Sequence, residues 1–179
     1  SNVIPWKALA EARGATLCII SRPAFKDLDA DGWTRALIAE MNTNSGSRRH
    51  PALLPGVPET AVVAVGNCHW CDGSLIDLEA LGTACRAHGA ALVVDATQSI
   101  GVLPFDVDRV QPDFLACSVH KWLFGLYGAS LLYSCPRYHK TNAVWHKERG
   151  LNESHERNRV QDDGTSVEEL WDAGGFLES

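Results

Sequence analysis

The sequence predicts an α/β protein with a mainly parallel sheet and helices on both faces. Three observations carry that prediction. Short apolar runs end in polar residues, amphipathic segments separate them, and the two kinds alternate along most of the chain. The run "TAVVAVGN" (60–67) is almost wholly apolar, as expected of a strand covered on both faces, and "AALVVDATQ" (90–98) repeats the pattern.

The elements follow in order. Residues 6–13 read as the end of a helix closed by Gly14, and "ATLCIIS" (15–21) as a short β-branched strand. Over 29–41, Trp33, Leu37, Ile38 and Met41 share one helical face, with Asp29 or Asp31 as the cap. Residues 43–56 are rich in Ser, Gly and Pro and read as a loop. The strand at 60–67 leads to a helix over 74–89, with Ser74 as its cap, Asp77 as a capping-box partner and Gly89 at its end. The strand at 90–98 runs through a short connection to "DFLACS" (113–118), and "ASLLYS" (129–134) supplies a fifth strand. From about Trp145 to Ser179 the chain turns polar and charged, so residues 1–144 read as the folded part and 145–179 as a polar tail or the stub of another region.

A chain of 179 residues can bury one core, and its 45% hydrophobic and 21% charged residues are ordinary for a globular protein. The net charge of −6, with no long basic run, argues against nucleic acid and anionic membrane as partners. No apolar stretch approaches the ~20 residues of a membrane span. No signal peptide is readable, and because serine stands at position 1 and the chain opens on a pattern already inside a domain, it reads as a fragment. Its six cysteines are scattered through apolar runs, which points to reduced thiols and a cytoplasmic location rather than a disulfide framework. Cys68 and Cys71 have CxxC spacing, but no second ligand pair accompanies them and the helical pattern starts only near Leu75. No metal site is expected.

In parallel α/β sheets, ligands gather at the carboxyl ends of the strands. Polar residues collect there: Asn67 after one strand, Asp95 and Gln98 after the next, then Ser118, His120 and Lys121. A lysine in an apolar setting becomes a usable amine nucleophile, able to form a Schiff base with an aldehyde such as pyridoxal 5'-phosphate (PLP). PLP also needs an acidic partner for its pyridine nitrogen, and Asp95 suits that role. Gln98 and Asn67 suit the ring's phenolic oxygen, and Ser118 and His120 the phosphate. Taken singly, each has a plainer reading: Lys121 as a snorkelling strand-end lysine, Asn67 as a turn former beside Gly66. The set, rather than any member, points to a site.

The stretch "LVVDATQSIGVLPFDVDRVQPDFLACSVHKWLFGLYGASLLY" resembles the core of the class V aminotransferase family, which includes cysteine desulfurases and isopenicillin-N-epimerase-like proteins. That family has an Asp, a Gln three residues on, and a Ser-x-His-Lys one repeat later. Asp95, Gln98, Ser118, His120 and Lys121 match it, and "GNCHWCDGSLIDLEAL" extends the likeness upstream. The resemblance implies the large-domain core of a PLP-dependent transferase of the aspartate aminotransferase type, acting on an amino-acid substrate as a homodimer. It makes Lys121 catalytic, as the Schiff-base lysine that shuttles the Cα proton, and assigns Asp95, Gln98, Ser118, His120 and Asn67 to the cofactor. It implies aminotransferase, epimerase or Cβ lyase chemistry, with a lean toward the epimerase-like branch. The family's phosphate loop and small domain have no counterpart here; Arg149, Arg157 and Arg159 match no substrate-binding arginine, and no cysteine follows Cys135 to carry desulfurase chemistry. A non-catalytic remnant of such an enzyme is the alternative.

Overall fold

The computed structural model describes residues 3–21, 32–47 and 60–138, with the backbone alone for 43–47. Helices α1 (Val3–Arg13) and α2 (Gly32–Ser47) precede strand β1 (Val62–Gly66). Then come α3 (Leu78–His88), β2 (Ala91–Asp95), the single turn α4 (Val107–Val110), β3 (Phe114–Ser118) and β4 (Ser130–Ser134). The sheet order is β1-β2-β3-β4. Strands β1 and β2 pair in parallel, Val62 opposite Ala91 through Gly66 opposite Asp95, and β2 and β3 likewise, Val93 opposite Phe114 through Asp95 opposite Ala116.

Period-two alternation sends Val63, Leu92, Val94, Leu115 and Cys117 to one face, where they are buried. Helix α3 lays Leu78, Leu81 and Cys85 on that face at helical spacing, and Met41 of α2 and Val110 of α4 complete the cluster. The opposite row is more open: Val62 is 41% exposed, so the apolar character of β1 exceeds what is covered around it.

Asp77, and not Ser74, is the N-cap of α3. Its Oδ1 accepts the Ala80 amide at 2.9 Å, whereas Ser74 Oγ donates to Asp72 Oδ1 at 2.6 Å in the loop before. Gly89 closes the helix as expected, with φ of 69° and its amide turned back to Arg86. Gly14 ends α1 in the same conformation, at φ 64°. Helix α1 buries none of its residues.

Three further expectations change. Residues 15–21 form no strand, because β-branched side chains favour a pleated, half-covered surface and this run lies largely open, with Ile19 64% exposed. Helix α2 runs on to Ser47, so the loop expected over 43–56 begins as helix. The connection before β3 contains α4, capped by Asp106, whose Oδ1 accepts the Asp108 and Arg109 amides. Asp29, Asp31 and the tail over 145–179 lie outside the described residues. The chain divides into compact units at 1–133 and 134–179; in the second, a 3-10 turn at Pro136–Tyr138 sets the Arg137 guanidinium 5.0 Å from the Tyr138 ring centre.

Candidate active site

The parallel register aligns the ends of β1 and β2 with Ala116 of β3, which runs on two residues further to Ser118. Gly66, Asp95 and Ala116 stand side by side, so Asn67, Asp95 and Ser118 emerge along one rim. Backbone bonds fix this level: the Asn67 amide donates to Asp95 O at 3.1 Å, and the Ala96 amide to Ala116 O at 2.8 Å.

Asp95 is half-buried at the end of β2, and its Oδ1 accepts the Thr97 amide at 3.0 Å. That bond holds the carboxylate over the turn it opens. Burial first, and the Asp95 charge second, push the Cys117 thiol on neighbouring β3 above its ordinary value. Thr97 Oγ1 in turn accepts the Ser118 amide at 3.1 Å, tying the turn after β2 to the end of β3. Thr97 is not among the residues the sequence singles out; a hydroxyl two residues past a strand-end Asp is the only local signal it gives. Gln98 lies in the same turn, half-buried.

His120 and Lys121 follow Ser118 in a tight turn. The Phe124 amide donates to Lys121 O at 3.1 Å, the Gly125 amide to Val119 O at 2.9 Å, and His120 stacks on Tyr127 with ring centres 4.5 Å apart. Lys121 itself is exposed, and so are Trp122 to Tyr127, with Phe124 88% and Tyr127 86% open. The apolar neighbours that the sequence places around Lys121 therefore do not enclose it. They are neighbours along a turn, and turn side chains radiate outward.

Beside Asn67, His69 stacks on Trp33 of α2 at 5.7 Å, and Trp33 Nε1 donates to Ser74 Oγ at 3.1 Å. His69 Nδ1 lies 3.2 Å from Asp72 Oδ1, an ion-pair separation whose angle falls outside hydrogen-bond geometry. Burial, then the Asp72 charge, raise the Cys68 thiol, the opposite of what a metal or redox thiol needs. Among the described residues no three His, Cys, Asp or Glu side chains gather to hold a metal ion, and none of the six cysteines is in a disulfide. No helix among them is long and apolar enough to cross a membrane.

Asp95, Ser118, His120 and Lys121 thus lie at the carboxyl ends of β2 and β3 and in the turn that follows. The aminotransferase class-V family model matches residues 40–148, and the chain belongs to that family. Over 133 residues it is 33% identical to a probable cysteine desulfurase of Pyrococcus abyssi, a match covering 74% of this chain and 28% of the relative. A cysteine desulfurase IscS of Serratia proteamaculans is 39% identical over 75 residues, 42% of this chain and 18% of that one. Among solved structures, an apo cysteine desulfurase from Thermococcus onnurineus gives a TM-score of 0.61 at 27% identity, covering 78% of this chain and 30% of the other. The cysteine desulfurase CsdA of Escherichia coli gives 0.62 at 24% identity, over 82% and 32%, a likeness of fold. The α/β core is thus that of the PLP-dependent class V enzymes, and the chain spans less than a third of the length of these relatives.

Proposed function

We propose that this chain is the cofactor-binding centre of a PLP-dependent class V enzyme acting on an amino acid through the Lys121 amine. The observation that carries the reading is the shared rim: Asn67 and Asp95 leave adjacent parallel strands at one level, Ser118 ends the third two residues beyond it, and His120 and Lys121 follow in the next turn. The donor set fits the group. It offers an anchored carboxylate, a hydroxyl, an imidazole, two amides and an amine, and no competing metal cluster occurs among the described residues.

Bound PLP supplies an aldehyde carbon that amines attack and a protonated ring that stabilises negative charge at Cα. Asp95, held by the Thr97 amide, keeps a proton on the pyridine nitrogen. Gln98 and Asn67 orient the phenolic oxygen through their side-chain amides, and Ser118 and His120 donate to the phosphate. The Lys121 amine holds the cofactor and afterwards takes up and returns the Cα proton. The substrate is an amino acid and the reaction an aminotransferase, epimerase or Cβ lyase (desulfurase-like) conversion, in a cytoplasmic homodimer. Residues 1–144 belong to the large domain and 145–179 to a separate region.

The exposure of Lys121 favours one second reading, a chain that keeps the centre of the fold without retaining the cofactor. Titration with PLP, followed by absorbance, separates the two. The first reading expects the red-shifted band of lysine-bound PLP, abolished in Lys121→Ala and about ten-fold weaker in affinity in Asp95→Ala, the scale of one charge-assisted hydrogen bond. No band in the unaltered chain favours the second reading. An equal band in Lys121→Ala refutes the assignment of the lysine.

A further inference from the structure

The turn that carries Lys121 comes close to the turn that follows Asp95 at Gly101. Its φ is 100°, and a Cβ there would lie 2.5 Å from Trp122 O, 2.8 Å from Trp122 C and 3.2 Å from Leu123 Cδ2. Two of those atoms are backbone, in the residue next to Lys121, and cannot swing aside as a side-chain tip does. Only a residue without a side chain lets the two segments approach so closely. From within, Gly125 does the same: a Cβ there would lie 2.6 Å from Val119 Cγ2 and 3.3 Å from Val119 O.

Gly101 is itself firmly placed relative to Asp95. The Ser99 and Ile100 amides both donate to Ala96 O at 3.0 Å, and the Val102 and Leu103 amides donate back to Ser99 O at 3.0 and 2.8 Å. Ser99 is 1% exposed, and its Oγ donates to Ala96 O. The path from Asp95 through Gly101 to Trp122 is closed on the other side by the Thr97 Oγ1 bond to the Ser118 amide and the Ala96 bond to Ala116. Hydrogen bonds on one side and a close backbone contact on the other set the separation of the two segments, and here those segments carry Asp95 and the backbone of Trp122, the residue after Lys121.

We propose that Gly101 and Gly125 are positioning residues that hold the Lys121 turn at a set distance from Asp95. The role of that distance rests on the PLP reading above. The two glycines act on the lysine only through the backbone of residues 119–125, touching neither cofactor nor substrate. The clamp fixes the backbone from which the exposed Lys121 side chain starts, so burial is not needed to place that starting point.

The test compares Gly101→Ala and Gly125→Ala with Gly14→Ala. Gly14 also has a left-handed φ, of 64°, but nothing lies within 4 Å of its Cβ position, so that variant carries backbone strain without collision. Hydrogen exchange at the Phe124 and Gly125 amides reads the turn without cofactor, and the rate of borohydride fixation of PLP on Lys121 reads the lysine. In either clamp variant, exchange is expected to rise and fixation to slow by about ten-fold, while Gly14→Ala changes neither. Fixation in Gly101→Ala is further expected to be non-additive with Asp95→Asn, because one aligned pair is lost once; a merely structural loss would add. Unchanged exchange in both clamp variants, additive losses, or unfolding of both overturns the proposal. Absence of fixation in the unaltered chain overturns the PLP reading instead, and amide exchange still decides the clamp.

Discussion

Asp113 Oδ2 accepts the Leu92 amide at 2.7 Å, while the Asp113 amide donates to Leu92 O at 2.9 Å, all in a setting where Asp113 is 6% exposed. The pair locks β3 to β2 at the end opposite the rim, and so fixes the register that levels Asp95 with Ala116. Asp113→Ala leaves the Leu92 amide buried and unpaired, a loss of about 2–4 kcal/mol, readable as a lower urea midpoint. Asp113→Asn keeps an acceptor of the same shape and costs less. Nearby Cys85 has its thiol pushed up from 9.0 to about 11, by burial first and Asp113 second, with Arg86 pulling the other way. A proton held more tightly when folded stabilises fully below pH 9 and is lost as the pH rises through about 11. Cys85→Ala is therefore expected to lose less stability than the unaltered chain between those two pH values, as read from urea midpoints; an identical fall in both would contradict this. Asp95 and Ser118 were legible as candidates because each ends an apolar run. Asp113 was not, since its partner lies 21 residues earlier and only the sheet register brings them together.

Helices α3 and α4 meet where α3 has a glycine. A Cβ on Gly82 would run into Val110 O, closer than a methyl group tolerates, with Arg86 Nη1 and Leu92 Cδ2 around it. Gly82→Ala is expected to cost about 1–3 kcal/mol, since overpacking here meets a carbonyl that Arg86 also binds at 3.3 Å. Thermal unfolding checks it, and a neutral result would mean that α4 is free to shift. The Arg109–Glu79 ion pair joins the same elements at 3.0 Å but is largely exposed, so Arg109→Ala should cost no more than about 1 kcal/mol. Strands β1 to β3 and helices α2 and α3 were readable from their apolar runs and periodicity, because each buries residues against the core, and β4 from its short apolar run alone. The turn α4 was hidden by its brevity, and residues 15–21 misled because β-branched composition states a preference without supplying a neighbouring strand.

At the scale of the molecule, a well-packed face and an open one coexist. The face under α2, α3 and α4 is closed, while Val62 on the opposite row, the turn from Trp122 to Tyr127, and Leu131 and Leu132 of β4 expose large apolar surface. Exposed apolar surface of this extent is characteristic of faces at which proteins associate. The family was legible in the order Asp95, Gln98, Ser118, His120, Lys121, while the clamp on the lysine's turn was not, because it depends on two backbone segments meeting at Gly101. The central claim is that Lys121 holds PLP. Peptide mass spectrometry after incubation with PLP and borohydride tests it most directly. The account predicts one pyridoxyl group on the peptide carrying Lys121, lost in Lys121→Ala; label spread over other lysines, or retained in that variant, would contradict it.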